Sequence, residues 1–313
     1  MRRFLGPIVL GLGVFLLVLS GLLRFFVADR VVITPIDQYA QTVAPGPGSY
    51  LDPATLQERS ADLVAVRTVK ADVAASDKNT AVWDVSVVLG TGDGTFVRAT
   101  LDRVASDRRS AEAVNCCNES VDSVPTRHAG VSYKFPFNTQ KQDYPFWDPN
   151  SKTSLPARFV SEDKVQGLTT YKFVQTVPAM QVQTQEVPGS LVGETAASVQ
   201  APVFYTDTRT VWVEPKTGVI VKGAEQNKTT LRDSSGQDKA TVIQYDLTFD
   251  DATQKAQAKL ANDNIGKINL VNLWLPLLGL VLGIIFILAG LIVMRAADRA
   301  RPAEPREEEV PVG

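Results

Sequence analysis

The chain has 313 residues, 44% hydrophobic and 21% charged, with 32 basic against 34 acidic side chains. This apolar content excludes whole-chain disorder, and a formal net charge of -2 leaves no basic field with which to hold nucleic acid. A single histidine, His128, and two cysteines, Cys116 and Cys117, exclude a His-rich or four-cysteine metal site, so neither metal nor other cofactor is expected.

In chain order, residues 4–23 form the first run without a charge, and residues 268–294 form a longer one. At about 1.5 Å of rise per residue each can span a bilayer core of about 30 Å, so two transmembrane helices are predicted. Arg2 and Arg3 precede the first run as in a signal peptide. The run is longer than the apolar stretch of about 7–15 residues that such a signal carries, and Arg24, Phe25 and Phe26 follow it. A retained anchor is expected, with cleavage after Ala28 as the alternative. Arg295, Arg299, Arg301 and Arg306 follow the second run. Short basic flanks stay cytoplasmic, which places residues 1–3 and 295–313 on the cytoplasmic side of the plasma membrane and residues 24–267 outside the cell. Gly279 and Gly283 have the spacing that lets another helix approach closely, and the first helix is the natural partner. The tail, with Pro302, Pro305 and Pro311 and little to bury, is expected to be disordered.

Between the anchors, β-branched and aromatic residues alternate with polar ones over residues 63–69, 81–89, 95–102, 203–213, 218–224 and 241–249, predicting half-buried strands. Turn residues at 91–94 and 214–218 join two pairs of these as antiparallel hairpins. Three prolines and two glycines predict a loop over 42–53. A short helix is predicted over 107–113 and a polar one over 250–261. The fold class is therefore a β-dominated α+β extracytoplasmic domain, antiparallel and barrel-like or two-lobed, between two transmembrane helices. Charges such as Arg67, Asp84 and Arg98 interrupt the strands and deny them a sustained apolar face toward lipid.

No feature nominates an enzyme. Gly90, Gly92 and Gly94 lack the spacing of a nucleotide loop, and no Gly-x-Ser-x-Gly turn is present. Lone His128 reads as a surface or hydrogen-bonding residue, and the pairs Glu162/Asp163 and Asp250/Asp251 as solvated charge. Adjacent Cys116 and Cys117 would make a strained ring, with Cα atoms about 3.8 Å apart against the usual 4.4–6.8 Å. In an oxidising compartment a vicinal bond is favoured over free thiols or intermolecular bridges. The densest local feature is residues 131–149, which gathers Tyr133, Phe135, Phe137, Tyr144, Phe146 and Trp147 among Pro136, Pro145 and Pro149. Such rings usually build core. The prolines make the segment an irregular ribbon, which can equally line an apolar cavity, so the six aromatics are the candidate ligand-binding residues.

Several stretches together, Ser49-Tyr50-Leu51-Asp52-Pro53, Asn79 to Val85, Ala113-Val114-Asn115-Cys116-Cys117, Tyr133 to Phe137, Tyr144 to Asp148 and Gly167 to Phe173, resemble the actinobacterial two-pass envelope family that carries the porin PorA name, a domain of unknown function. The resemblance implies a role in envelope biogenesis of mycolic-acid-containing bacteria, with an envelope lipid or lipoglycan as the molecule handled. The order of Phe135-Pro136-Phe137, Tyr144-Pro145-Phe146 and Tyr171-Lys172-Phe173 is also similar to class B scavenger receptors, which have two anchors and a lipid tunnel. The expected function is lipid or glycolipid binding and transfer beside a polytopic transporter or glycosyltransferase. The alternatives are an assembly factor for such a partner and, third, a pore built by oligomerisation through the helices.

Overall fold

The computed structural model describes residues 2–299 and divides into two compact units, one from the two ends of the chain and one spanning Ile33–Ile265. The expected tail disorder over 300–313 lies outside the described residues.

The terminal unit contains α1 (Arg2–Leu22), a π turn (Leu23–Val27), the short α2 (Ala28–Val31), a second π turn (Leu270–Trp274) and α4 (Leu275–Arg299). α1 and α4 pack antiparallel. A Cβ placed on Gly13 would come within 2.8 Å of the Gly283 carbonyl oxygen, and one on Gly290 within 2.7 Å of the Leu10 nitrogen. The small residues are thus where the two backbones touch, the arrangement the 279/283 spacing predicts. The Ser20 hydroxyl donates to the Pro276 carbonyl at 2.6 Å, satisfying the acceptor on that side of the pair.

The other unit holds one antiparallel sheet of β1 (Tyr39–Asp52), β2 (Gln57–Ala71), β3 (Thr80–Thr91), β4 (Phe96–Asp107), β5 (Ser120–Val121), β6 (Val124–Pro125), β7 (Tyr144–Asp148), β8 (Thr153–Val165), β9 (Leu168–Val187), β10 (Val199–Glu214), β11 (Val219–Arg232) and β12 (Asp238–Thr248), together with α3 (Asp251–Asn269), whose last residues pass into the terminal unit. The strand order is β6-β5-β4-β3-β2-β1-β12-β11-β10-β9-β8-β7. It is two meanders joined where the first strand pairs with the last, Gly48 opposite Tyr245 and Tyr50 opposite Ile243. The sheet curls as a half-barrel, and isolated bridges link its far ends: Ser106 to Ala113, Glu112 to Val131, and Val131 to Phe146. β-dominated architecture between two apolar helices is thus the observed fold.

Two expected elements differ. The loop over 42–53 is instead strand β1, paired with β2 along its whole length. Val43 shows why the prolines are tolerated: its N–H is taken by the Thr253 hydroxyl and its carbonyl by the Asp250 N–H, both away from β2. Pro45 and Pro47 share that side of the strand, where pairing with β12 begins only at Gly48, so their missing N–H groups interrupt no ladder. The short helix over 107–113 is instead a turn. The Asp107 carboxylate accepts the N–H groups of Arg109 and Ser110 at 2.9 and 2.8 Å, local bonds that compete with helix. The polar helix is present as α3, longer than expected. Asp250 caps it by accepting the Thr253 N–H at 2.7 Å, and Ala258 and Ala261 pack on Val219 and Val221.

The 131–149 segment is an irregular ribbon that ends in edge strand β7. Its docking depends on Gly218 in the β10–β11 turn, which has φ +73° and would drive a Cβ to 1.9 Å from the Phe135 carbonyl oxygen. The Phe135 N–H meanwhile donates to the Gly218 carbonyl at 2.9 Å. Gly218→Ala is therefore expected to lower stability by about 2–5 kcal/mol, clash and left-handed backbone together, measured by denaturant unfolding of the full chain in detergent. An unchanged midpoint would show that the ribbon is not seated there.

The helix pair is testable by cross-linking. The Ser20 Cβ lies 3.2 Å from where a Gly279 Cβ would be. Ser20→Cys with Gly279→Cys should form an intramolecular disulfide on mild oxidation in membranes. Adding Gly283→Leu, whose side chain meets Leu17 and Gly13, should abolish it. Cross-linking that is indifferent to Gly283 would refute the pairing.

Candidate functional site

β10 buries alternate residues, so Val203, Tyr205, Asp207, Arg209, Val211 and Val213 face the inside of the curled sheet. Three of these six can carry charge or share a proton on a face otherwise apolar. Arg209 is the hub. Its Nη2 lies 3.0 Å from Asp148 Oδ2 and 3.5 Å from Asp207 Oδ2, its Nε lies 3.4 Å from Glu225 Oε2, and its Nη1 donates to the Trp147 carbonyl at 3.4 Å. The Tyr205 hydroxyl donates to Asp148 at 2.9 Å and the Tyr245 hydroxyl to Glu225 at 2.9 Å. Four strands, β7, β10, β11 and β12, supply this cluster. Burial opposes the Arg209 charge, but Glu225, Asp148 and Asp207 outweigh it and hold the guanidinium well above its ordinary value. Asp207 fares differently. Neither of its oxygens has a hydrogen bond, and burial, followed by the charge of Glu225, pushes its carboxyl well above the usual carboxylate range.

A second group lies on β4 and the ribbon. Asp102 Oδ1 is 2.7 Å from His128 Nε2, and Asp102 Oδ2 accepts the Tyr133 hydroxyl at 2.6 Å. His128 Nδ1 lies 3.2 Å from the Thr126 carbonyl, which can only accept. Nδ1 therefore carries a proton, and the contact with Asp102 requires another, on the ring or on the carboxyl. The lone histidine is a buried hydrogen-bonding residue, its ring 4.3 Å from that of Trp147. Burial, then Asp102, raises the Tyr133 phenol well above its ordinary value.

Between these groups lies a cavity of about 150 Å³. Of the six candidate ligand-binding aromatics, Tyr133, Phe146 and Trp147 line it. Phe135 and Tyr144 are packed with Phe173 in the main hydrophobic cluster, Phe135 stacked on Phe173 at 4.9 Å. Phe137 is half-buried under the Lys134 ammonium, 3.8 Å from its ring, and burial lowers that ammonium to about 7. The structure thus divides the ribbon between wall and core, with Phe146 belonging to both: it lines the cavity and packs in the same cluster as Phe135. The charged residues of the wall are what aromatic density does not reveal. Their signal is a charge on the apolar phase of a strand: Arg67 between Ala65 and Val69, Asp102 before Val104, Arg209 before Val211.

Cys116 and Cys117 are bonded to each other, and Glu119 Oε1 accepts both of their N–H groups at 2.9 Å. These three residues form the one grouping of metal-ligating types found together among the described residues, and the bonded sulfurs offer no thiolate. Of the carboxylate pairs, Asp163 accepts the Trp212 indole N–H at 2.7 Å and Asp250 caps α3.

The Arg209 cluster makes opposite predictions for two of its acids. Asp148→Asn weakens contacts from Arg209, Tyr205 and the Ser151 N–H, and is expected to cost about 3–5 kcal/mol. Asp207→Asn should leave the melting temperature at pH 7 unchanged or raised, because the folded state favours the protonated acid. The sign follows from linkage: a carboxyl raised above its unfolded value of 3.8 favours folding below that pH, and the contribution is lost as pH rises through the folded value. Melting curves from pH 4 upward should therefore decline less steeply for Asp207→Asn than for wild type. Greater damage from Asp207→Asn than from Asp148→Asn would overturn this assignment.

The sequence model of the family described as Porin PorA matches residues 5–292. A Porin PorA of Corynebacterium amycolatum is 26% identical over 299 residues, covering 72% of this chain and 77% of that protein. A Porin PorA of Corynebacterium resistens is 22% identical over 409 residues, covering 96% and 98%. These matches correct the expected function: both relatives are named as porins, which overturns lipid or glycolipid binding and transfer and displaces the assembly-factor alternative. With two helices long and apolar enough to cross a bilayer, the molecule is a membrane protein. A match that takes in both apolar segments and the whole sheet places the chain in the Porin PorA family.

Proposed function

We propose that the chain is a pore-forming protein whose conducting path is assembled from several copies. The observation that carries this reading is the family match over residues 5–292, through both apolar spans and the sheet. Its relatives are named porins, and the chain's own chemistry supports an assembly of helices rather than a barrel of strands. A barrel that crosses lipid needs an apolar outward band. The outward residues here include Arg158, Glu162 and Lys164 on β8 and Gln226 and Lys228 on β11, all exposed. The apolar outward faces are those of the helices, with Phe4, Phe15, Ile285 and Ile292 exposed. Arg295 and Arg299 at the end of α4, with Arg2 and Arg3 at the start of α1, support a two-pass arrangement in the plasma membrane with both ends cytoplasmic. The reading assigns no reaction to the chain.

Purified full-length chain added to planar lipid bilayers should give stepwise increases in conductance. Chemical cross-linking in membranes should trap species larger than the monomer. Wild-type protein that inserts without conducting would sink the proposal.

A further inference from the structure

Charge is unevenly spread over the outer face of the sheet. On the first meander Thr42, Ala44, Ala65, Arg67, Val87 and Thr100 line the interior cavity, so strand alternation turns their neighbours to the outer face. Strand register sets these outward residues in rows across β1–β4. Val43 lies opposite Val66, Val66 opposite Val88, and Val88 opposite Ala99. The row on one side runs from Pro45 to Phe96 and the row on the other from Gln41 to Leu101, and no residue of the three rows carries a charge. Val88 is 42%, Leu101 53% and Phe96 65% exposed, so the chain leaves this patch open on its β3–β4 side. β8 and β11 differ, with Arg158, Glu162, Lys164 and Lys228 exposed. The three rows span about 14 Å along the strands, short of the apolar band of about 25 Å that a strand wall in lipid needs. Uncovered apolar patches that lipid does not explain mark protein contacts.

Charges return at the two ends of the patch, and there they differ in sign. One step beyond the uncharged rows β2 carries Asp62 at one end and Lys70 at the other, both exposed and neither in an ion pair among the described residues. The acid opposite Lys70, Asp84, is held by Arg103 at 2.6 Å instead. Asp62 and Lys70 flank Val66 of the central row symmetrically, each about 13 Å from it along the strand. Such a patch complements itself. A two-fold axis along the central row brings Lys70 of each copy over Asp62 of the other, whereas an axis along the strands would oppose like charges. We infer that the outer face of β1–β4 is a self-association surface, packed face to face on the same face of a second copy with Val66 and Val88 on the axis. From Asp62 to Lys70 over four strands, two copies would bury roughly 700–1,000 Å² in total, the size of a weak, reversible association. The inference rests on the reading that several copies assemble, and it names the face through which two of them meet.

Sedimentation equilibrium of the full chain in detergent, from about 1 to 100 μM, tests it, and a reversible monomer–dimer equilibrium is expected. Lys70→Glu should weaken dimerisation about tenfold by opposing Asp62, and Asp62→Lys should do the same. The two changes combined should restore it to within about threefold of wild type, since the swap returns opposite charges to each other. In membranes, Val88→Cys should be joined to its own copy by a thiol cross-linker of about 10 Å, the spacing of packed sheets, while Lys164→Cys should not. The native cysteines do not interfere, being bonded to each other. A chain that stays monomeric throughout would overturn the inference, and so would dimerisation equal in wild type and both single variants, which would assign it to the helices. A monomer whose Val88→Cys resists thiol labelling in membranes would overturn it too, by giving the face to a different molecule. Conductance without the Val88→Cys cross-link would remove this interface and leave the pore standing, whereas a cross-linked dimer that never conducts would do the reverse.

Discussion

Arg209 stands on the inward face of β10, and a guanidinium there is tolerable only because carboxylates reach it from separate places in the chain: Asp148 from β7 and Glu225 from β11. Removing charge from water costs several kcal/mol per ion, and only close, hydrogen-bonded partners offset this. The cluster therefore couples the edge strand β7 to the centre of the second meander. Tyr205 and Tyr245 extend the same constraint to the remaining lone pairs of Asp148 and Glu225. A register slip of two residues in β10 would keep its apolar residues inward yet carry Arg209 away from Asp148 and Glu225, so the charges specify the pairing that the apolar alternation alone leaves degenerate along so long a strand.

The way the sheet curls follows from the same contacts. Its two meanders meet at β1 and β12, and the chain between β6 and β7 returns across the open side through Val131, which bridges Phe146. Val131 N–H donates to the Pro145 carbonyl and Trp147 N–H to the Val131 carbonyl, both at 2.8 Å. Gln175 adds a side-chain donor to the Phe146 carbonyl at 2.5 Å and to that of Leu155 at 3.0 Å, holding β7 and β8 from β9. An inside is thereby defined even though the strands do not close. The polar groups of β2, β4, β10 and β11 share one interior rather than lying on an open face.

Much of the frame was legible in the sequence because it depends on single-chain periodicities. The two uncharged runs became α1 and α4, the 91–94 and 214–218 turns became hairpins, and six alternating segments became strands. Strands β8 and β9 are less legible. Past Val177, β9 runs through Gln181, Gln183, Thr184 and Gln185, and its far half packs too little apolar surface to show a period. The prolines of β1 read as loop because the side to which each missing N–H points is a tertiary fact, set by where β12 begins to pair. The site was half legible for a similar reason. Aromatic density located the ribbon, which supplies Tyr133, Phe146 and Trp147 to the wall, yet density cannot separate Tyr133 and Trp147 from Phe135 and Tyr144 in the core, or show that Phe146 serves both, since that depends on which way each residue faces once Gly218 and Gly130 have fixed the backbone. The charged wall residues lie far apart in sequence, and only strand order brings them together.

The strands of the second meander in this porin-family chain have a charged outer face, and the proposed helix-built pore accommodates this by dividing the chemistry between the two units. Lipid requires apolar side chains outward and satisfied backbone groups, which α1 and α4 provide with their hydrogen bonds internal and their glycines turned toward each other. Water requires polar side chains outward, which the sheet provides. What the sheet then encloses is freed from the need to face lipid on its other side, as the wall of a transmembrane barrel must. That freedom permits a buried Arg209 cluster and an unpaired Arg67 on the same inner surface. In a barrel wall one residue thick, such a concentration of interior charge would face a lumen wide enough to hydrate it. Here the space is small, and Phe146 and Trp147 contribute to its wall together with the half-buried Arg67. The division of labour between helices and sheet is thus the condition under which the interior can be specialised for charge.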